Sequence, residues 1–480
     1  MKARDYAPLI AELAKVYAQR SPRSKALQDE AVNYLVDGGS HTLRLIKPFP
    51  PRIAAAHGAW LTDEDGHQIM DLWQGHMANI LGHNPPEITA PVADAMAGGF
   101  GLQTGFTDRL QVDTARILCQ QTGSERVRFT TSGALATMYA IMLGRAFTGR
   151  ELVLKVGGGW HGSQPWALKG IDYHGGVGNG YQAVESNGVP AAVTDQVLVT
   201  PFNDPDRLRD LFRANGDQMA CFIMEPFIGV GGFMPASAEF VQAARELSQQ
   251  YGVVLILDEV IAGFRFRAGN MGALYGVQPD LTTFGKIIGG GMPVAAVAGR
   301  AEIMELAGVS EGGSRTYETA RVKFSGGTYS AHPASMLAAR TMMTYLADHE
   351  AKVYPRLGEL GELARRTVRD AFAAEGIYVH VTGGGGVLPS GDALLPAGSS
   401  MYMLHFPFEP DRPIVSPSDC FDPDRCDITL SHTVLDLAMI VEDVFMLHSH
   451  AGLSTAHTES DIAFLGEACR QAAHRIRPYL

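Results

Sequence analysis

Lys286 lies in TTFGKIIGGGMP, residues 282–293, after an apolar stretch and before three glycines. Gly-Lys first suggests a phosphate loop of the form G-x-x-x-x-G-K-[ST], where a hydroxyl after the lysine holds magnesium. The spacing excludes that loop, because Asp280 stands where the first glycine must be and Ile287 where the hydroxyl must be. What remains for such a lysine is attack on a carbonyl as an amine nucleophile. Upstream, LILDEVIAGFRF (255–266) ends a very apolar run on the carboxylates Asp258 and Glu259. Burying an acid there is costly unless a partner compensates. Arg265 is one candidate partner and a protonated cofactor nitrogen is another. Asp258 and Lys286 are 28 residues apart, enough for one strand–helix–strand unit, so both can approach the same edge of a sheet. A desolvated lysine has a lowered pKa and forms a Schiff base. Together with an aspartate opposite a pyridinium nitrogen, it is the signature of a pyridoxal phosphate site.

Two more motifs follow predicted strands. TTSGALA (130–136) offers the hydroxyl of Ser132 and backbone N–H groups to a phosphate at a helix start, although a plain N-cap would look the same. GGGWHGS (157–163) sets Trp160 and His161 between glycines, where an aromatic ring can stack on a planar cofactor or simply pack beside a turn.

These motifs need a scaffold. From about residue 126 to 300, short apolar runs alternate with helical stretches: VRFTT, ELVLKV, QVLVTPF, MACFIMEP, VVLILDEV and LTTFGK, with FVQAARELSQQYG as a clear helix between two of them. Such alternation predicts a mostly parallel sheet covered on both faces, with ligands at the carboxyl ends of its strands. Residues 51–72 read as a hairpin turning at Asp65-Gly66. The N-terminal stretch reads as an amphipathic arm, with Leu9, Leu13, Val16 and Tyr17 at helical spacing. Residues 335–375 read as long helices. The Gly/Pro/Ser-rich stretch 383–400 is either a lid or disordered.

At 480 residues the chain needs more than one domain. The division expected is 1–85 for the arm and hairpin, 86–334 for a large α/β domain and 335–480 for a smaller α+β domain. A net charge of −12 argues against nucleic-acid and anionic-membrane partners. Five scattered cysteines match neither a disulfide framework nor a zinc spacing, so no metal is expected. With no signal-peptide core and no run long enough to span a membrane, the cytoplasm is the expected location. The 54 glycines cluster, as in GGVGNG at 175–180, marking tight turns or close backbone approach to a ligand.

The runs DEDGHQIMDL, ILGHNPPEI, FTTSGALA, WHGS, MEPFIGVGGF, LDEVIAGFRF, PDLTTFGKIIGGGMP and FSGGTYSAHP occur in order between residues 63 and 333. With them the chain resembles the class III, fold type I pyridoxal-phosphate aminotransferases, especially the glutamate-1-semialdehyde aminomutase branch. The resemblance implies an α/β fold, with the N- and C-terminal parts forming the smaller domain, and pyridoxal 5'-phosphate as cofactor. It implies that Lys286 forms the Schiff base and shuttles a proton, and that Asp258 keeps the pyridine nitrogen protonated. It further implies Ser132, Gly133 and Ala134 at the phosphate, Trp160 stacked on the ring, and His161 and Glu225 around the cofactor. Thr328 would reach the phosphate of a neighbouring subunit, so a homodimer is implied.

The sequence also departs from that branch. SGTEA stands here as SGALA, and the asparagine of EP-x-x-GN is Val230. His76 occupies the place of an active-site tryptophan, and 310–322 is longer. By that resemblance each of these changes touches the pocket more than the cofactor clasp. A substrate carboxylate calls for an arginine, and Arg44 in SHTLRLIKPFP is the candidate, with His76 lining the pocket. Trp73, Met77 and Phe106 would admit a bulky apolar side chain. Three functions stay open at this point. One is an aminotransferase moving an amino group between an amino acid, including a β- or D-amino acid, and a keto acid. The others are an aminomutase or racemase with the same cofactor, and a non-catalytic binding module.

Overall fold

The computed structural model describes residues 4–174, 180–309 and 321–480. The glycine run at 175–180 and the insertion expected at 310–322 fall almost wholly outside them. Three strands, β1 (Ile53–His57), β2 (Trp60–Asp63) and β3 (Gln68–Asp71), open the fold. The central sheet takes β4 (Arg126–Thr130), β5 (Leu152–Val156), β6 (Val197–Thr200) and β7 (Met219–Met224). The short strands β8 (Phe227–Ile228) and β9 (Met234–Pro235) pair with each other. The central sheet is completed by β10 (Val254–Asp258), β11 (Leu281–Phe284) and β12 (Ala295–Gly299). Its order is β4-β12-β11-β10-β7-β5-β6, parallel except for β12, which is antiparallel to both neighbours. All the predicted strands are therefore present, and six of them end on the same edge.

The central strands read as continuous apolar runs because both faces are covered: every residue of β7 and of β10 is buried. One covering helix, Ala238–Tyr251, starts where Ser237 Oγ accepts the N–H of Phe240 (3.2 Å) and stops at Gly252, whose φ of +63° suits glycine. Its buried Phe240 and Ala244 face the sheet. On the other face, Gly133–Thr148 buries Ala136, Ala140 and Leu143.

The smaller α+β part joins the two ends of the chain. β15 (Val444–Phe445), following β13 (His380–Val381) and β14 (Met401–His405), runs parallel to β3 in a sheet of order β1-β2-β3-β15. The helix Ala7–Arg20 buries Leu9, Leu13 and Tyr17 in one core with residues 430–476, and Tyr17 stacks on Phe49 at 4.8 Å. The hairpin turns at Asp65-Gly66 as read from the sequence, with β1 added to its edge. No described helix is long and apolar enough to cross a membrane.

The stretch 383–400 is neither lid nor disordered chain. It docks on the helix Glu350–Ala374, where Gly358 and Gly361 let backbone meet backbone. A Cβ on Gly358 would lie 1.5 Å from the Ala397 carbonyl oxygen, and one on Gly361 would lie 1.9 Å from that of Ser399. The buried Arg365 then donates to Ser399 O at 2.8 Å. None of these loop residues lines the catalytic cavity described below. The spacing of the two glycines, one helical turn apart, was the available signal. Gly358→Ala is expected to lift this loop and cost about 3 kcal/mol. Thermal unfolding would read this as a lower midpoint, and limited proteolysis as new cleavage within 383–400.

Candidate active site

The carboxyl edge of the sheet collects the chemistry. Register pairs Asp258 of β10 with Thr283 of β11, and Met224 of β7 with Leu257. Glu225, Asp258 and Lys286 therefore emerge side by side. Asp258 is buried and held by three hydrogen bonds, with acceptor capacity left on Oδ2. Its Oδ1 accepts from Thr283 Oγ1 (2.8 Å) and the Val260 N–H (3.1 Å), and its Oδ2 lies 2.7 Å from His161 Nδ1. Arg265 is not its partner, contrary to one expectation from sequence. That guanidinium is buried and donates to the Met77 carbonyl. Glu259 also turns away, accepting the N–H groups of Met271 and Gly272, and burial pushes its carboxyl up to about 7. The carboxylate pair of the sequence thus divides into one site residue and one loop anchor.

Lys286 follows β11 with φ +49°, a left-handed conformation uncommon outside glycine. Its ammonium makes no hydrogen bond to a described residue, and burial lowers its pKa despite Asp258 and Glu225 nearby. Glu225 accepts from the N–H groups of Trp160 and Gly229, both at 2.9 Å. Burial and the Asp258 charge push its carboxyl upward. Beneath the loop that carries Trp160 and His161, the buried Lys155 donates to the carbonyls of Gly159 (3.1 Å), Ala167 (3.0 Å) and Lys169 (2.8 Å). Burial brings its ammonium down to about 7.

Ser132, Gly133, Ala134, Trp160, His161, Glu225, Asp258 and Lys286 line one cavity of about 530 Å³. The residues fit pyridoxal phosphate. Ser132 Oγ caps the helix at the N–H of Leu135 (3.4 Å), which leaves the N–H groups of Gly133 and Ala134 unpaired among the described residues and facing an anion site at a helix start. The cradle tolerates no Cβ. One on Gly162 would lie 2.4 Å from Ala134 Cβ, and one on Gly133 would lie 2.9 Å from Val260 Cγ1. His161 Nε2 is buried without a partner. Thr328, exposed beyond β12, does not line this cavity in its own chain.

A second cavity of about 440 Å³ adjoins the first and shares His41, Trp160, Ile261 and Lys286. Trp73, His76 and Met77 line it, as read from the sequence. Phe106 does not, being 73% exposed at the surface. His76 lies in a left-handed turn, Gln74–Met77, with φ between +48° and +66°. Non-glycine residues pay for that conformation, so it persists only where the surroundings impose it. Here Asp71 accepts the N–H groups of Trp73 (2.8 Å) and Gln74 (3.1 Å), while Arg265 holds Met77. Arg44 stands at the mouth. It does not line the cavity, but its Nε donates to His76 Nε2 at 3.2 Å. An arginine only donates, so His76 Nε2 is the accepting nitrogen. Burial with His41 and Arg44 close by pushes its pKa down to about 3.

A family model for class III aminotransferases matches residues 46–385. The chain belongs to the class III aminotransferases. Like other members of this family it is a fold type I enzyme dependent on pyridoxal 5'-phosphate. This class III aminotransferase is 32% identical to a glutamate-1-semialdehyde 2,1-aminomutase of Methanococcoides burtonii, over 93% of the chain and 97% of that protein. Among solved structures, an ω-transaminase from Sphaerobacter thermophilus is 30% identical, with a TM-score of 0.83 over 96% of this chain and 99% of the other. A β-phenylalanine aminotransferase from Variovorax paradoxus is 26% identical, with a TM-score of 0.78 over 97% of both chains.

Sequence reasoning missed Thr283, Val260 and His41, together with three histidines of the C-terminal part, His432, His448 and His450, that line the second cavity. Only Thr283 left a signal, being one strand residue in register with Asp258. Thr283→Val removes a hydrogen bond to a charged group, worth about 1.5–3 kcal/mol. It is expected to lower kcat by about tenfold or more, with Thr283→Ser restoring most of it in steady-state assays.

Proposed function

We propose that this enzyme transfers the amino group of a carboxylate-bearing amine, with a β-amino acid as the substrate class favoured, to a keto acid. Lys286 is its covalent and proton-transferring residue. The observation that carries the reading is one cavity lined by both a partly buried Lys286, whose amine has no hydrogen-bond partner among the described residues, and a buried Asp258 held by three hydrogen bonds. Bound there, pyridoxal phosphate supplies an aldehyde carbon and an electron-accepting ring. Asp258, fixed by Thr283, Val260 and His161, holds a proton at the ring nitrogen. Lys286 Nζ, deprotonated more readily because it is desolvated, accepts and returns the proton that moves on the substrate. Trp160 and Glu225, which line the same cavity, would hold the ring and its surroundings. Ser132, Gly133 and Ala134 receive the phosphate.

For the substrate, Arg44 at the mouth receives the carboxylate beside His76, and the second cavity receives the side chain. The β-phenylalanine aminotransferase neighbour supports this class. Val230 and His76, in place of the aminomutase asparagine and tryptophan, speak for intermolecular transfer. The second reading, intramolecular transfer, rests on the aminomutase names of the relatives at 30–34% identity. Thr328, exposed and outside its own cavity, fits a homodimer in which it reaches the partner's phosphate site. Leu102 and Phe106, 71% and 73% exposed, offer apolar surface for such an interface.

The deciding experiment records the absorption of the cofactor-loaded enzyme while α-, β- and D-amino acids are added singly. Conversion of the cofactor to its amine form by a β-amino acid supports transamination, whereas an unchanged band with every amino acid turns the reading to the aminomutase. Lys286→Ala is expected to abolish turnover, and borohydride should no longer fix the cofactor to the chain in mass spectra. Asp258→Asn uncouples a buried charge partner and should lower kcat by roughly 100- to 1,000-fold. Arg44→Ala should raise KM for carboxylate-bearing amines and spare simple amines. An equal effect on both would move the carboxylate site elsewhere.

A further inference from the structure

The second cavity has a wall that the family chemistry does not require. Its far side is built from His432, His448 and His450, supplied by the C-terminal part more than 140 residues after Lys286. The backbone is bent to place them. His448 and Ser449 both take left-handed conformations, with φ +52° and +61°. Such strain in non-glycine residues survives only where the surroundings enforce it, and it clusters at ligand sites. Here the enforcement is visible. Asp436 Oδ2 accepts the N–H of His448 (2.9 Å), and Ser449 Oγ donates to the Ser431 carbonyl.

The three rings sit among aromatic neighbours. His450 meets Phe233 edge-on at 4.9 Å, and His432 lies 5.5 Å from Phe421 and 5.6 Å from His448. His450 Nδ1 lies 3.2 Å from the Leu447 carbonyl, an acceptor only, so in the neutral ring that nitrogen holds the proton and Nε2 carries the lone pair. The Nε2 atoms of both His432 and His450 are buried without a hydrogen-bond partner among the described residues, and such bonds are costly to leave unmade. Burial pushes the two rings down to about 3 and about 4, so both are uncharged at neutral pH. Among the described residues, no lysine or arginine other than Lys286 lines this cavity, and Asp172 is its one carboxylate. An acidic side chain would therefore enter without a fixed cation.

We propose that His432, His448 and His450 are specificity-determining residues, forming a subsite for an uncharged aromatic side chain that bears a hydroxyl or N–H donor. The carboxylate stays at Arg44 and the amine at Lys286. This inference rests on the carboxylate-amine reading above. The ring of such a side chain packs against Trp73 and Phe233. Its polar group takes the lone pair left open among the histidines, which a plain hydrocarbon ring leaves unpaired.

The test uses the cofactor-loaded enzyme in single-turnover titrations followed by cofactor absorption, giving both an apparent Kd and a maximal rate. Three probes differ at one position: 3-amino-3-phenylpropanoate, its 4-hydroxyphenyl analogue and its 4-carboxyphenyl analogue. The hydroxyl analogue is expected to exceed the phenyl compound by about tenfold in rate over Kd, the size of one desolvated hydrogen bond. The carboxyl analogue should fall at least tenfold below it. His450→Leu and His432→Leu should each bring the hydroxyl-to-phenyl ratio toward one, and His450→Gln, which keeps an acceptor, should restore part of it. A wild-type ratio of one or less overturns the subsite, as does a ratio that survives in both leucine variants. If other amino acids convert the cofactor and none of these three does, the subsite fails alone. If no amino acid of any class converts it, the transamination reading fails with it.

Discussion

A carboxylate removed from water at the end of an apolar strand governs this molecule. Asp258 closes β10, whose five residues are all buried, and an acid there is stable only if hydrogen bonds compensate its charge. Thr283 and Val260 answer one oxygen and His161 the other. Each of those partners fixes a piece of the site. Thr283 sets the register of β11 and so the position of Lys286. Val260 packs against Gly133, at the start of the phosphate-facing helix. His161 draws in the glycine loop, which Lys155 holds from below. The site's order follows from the need to satisfy one buried charge.

The same economy governs the substrate side. The second cavity is walled by histidines that burial keeps neutral, and two strained turns, one near each end of the chain, deliver them. Gln74–Met77 presents His76, and His448–Ser449 sets the turn that presents His448 and His450. Strain in both is balanced by buried acids, Asp71 and Asp436, that accept backbone N–H groups within the turn. Among the described residues, fixed positive charge at this cavity is confined to Lys286 in its wall and Arg44 on His76.

Much of the first cavity was legible because its residues follow strands in short, ordered motifs. Ser132, Gly133, Ala134, Trp160, His161, Glu225, Asp258 and Lys286 all lie at strand ends, and a parallel sheet brings strand ends together whatever the loops do. The second cavity was legible only on its N-terminal wall. His432, His448 and His450 sit on no recurrent pattern, and their shared location depends on how the C-terminal part docks. Phe106 was misread for the same reason: apolar character says nothing about which side of a loop faces inward. The 383–400 stretch was misread because its order comes from two glycines on a helix elsewhere in the chain.

The sequence by itself determined the alternating strands and helices, the lysine and aspartate at the strand ends, and the family. These are local properties, written in the period of apolar residues and in the residue types at strand ends. Only the tertiary structure decided the rest. It gave Asp258 histidine and threonine partners instead of Arg265, turned the buried Glu259 away from the cavity as a loop anchor, set Arg44 on His76 and gathered three distant histidines into a cavity that Lys286 also lines. Those outcomes depend on which buried polar groups can reach one another once the layers are packed, and no spacing along the chain encodes that reach.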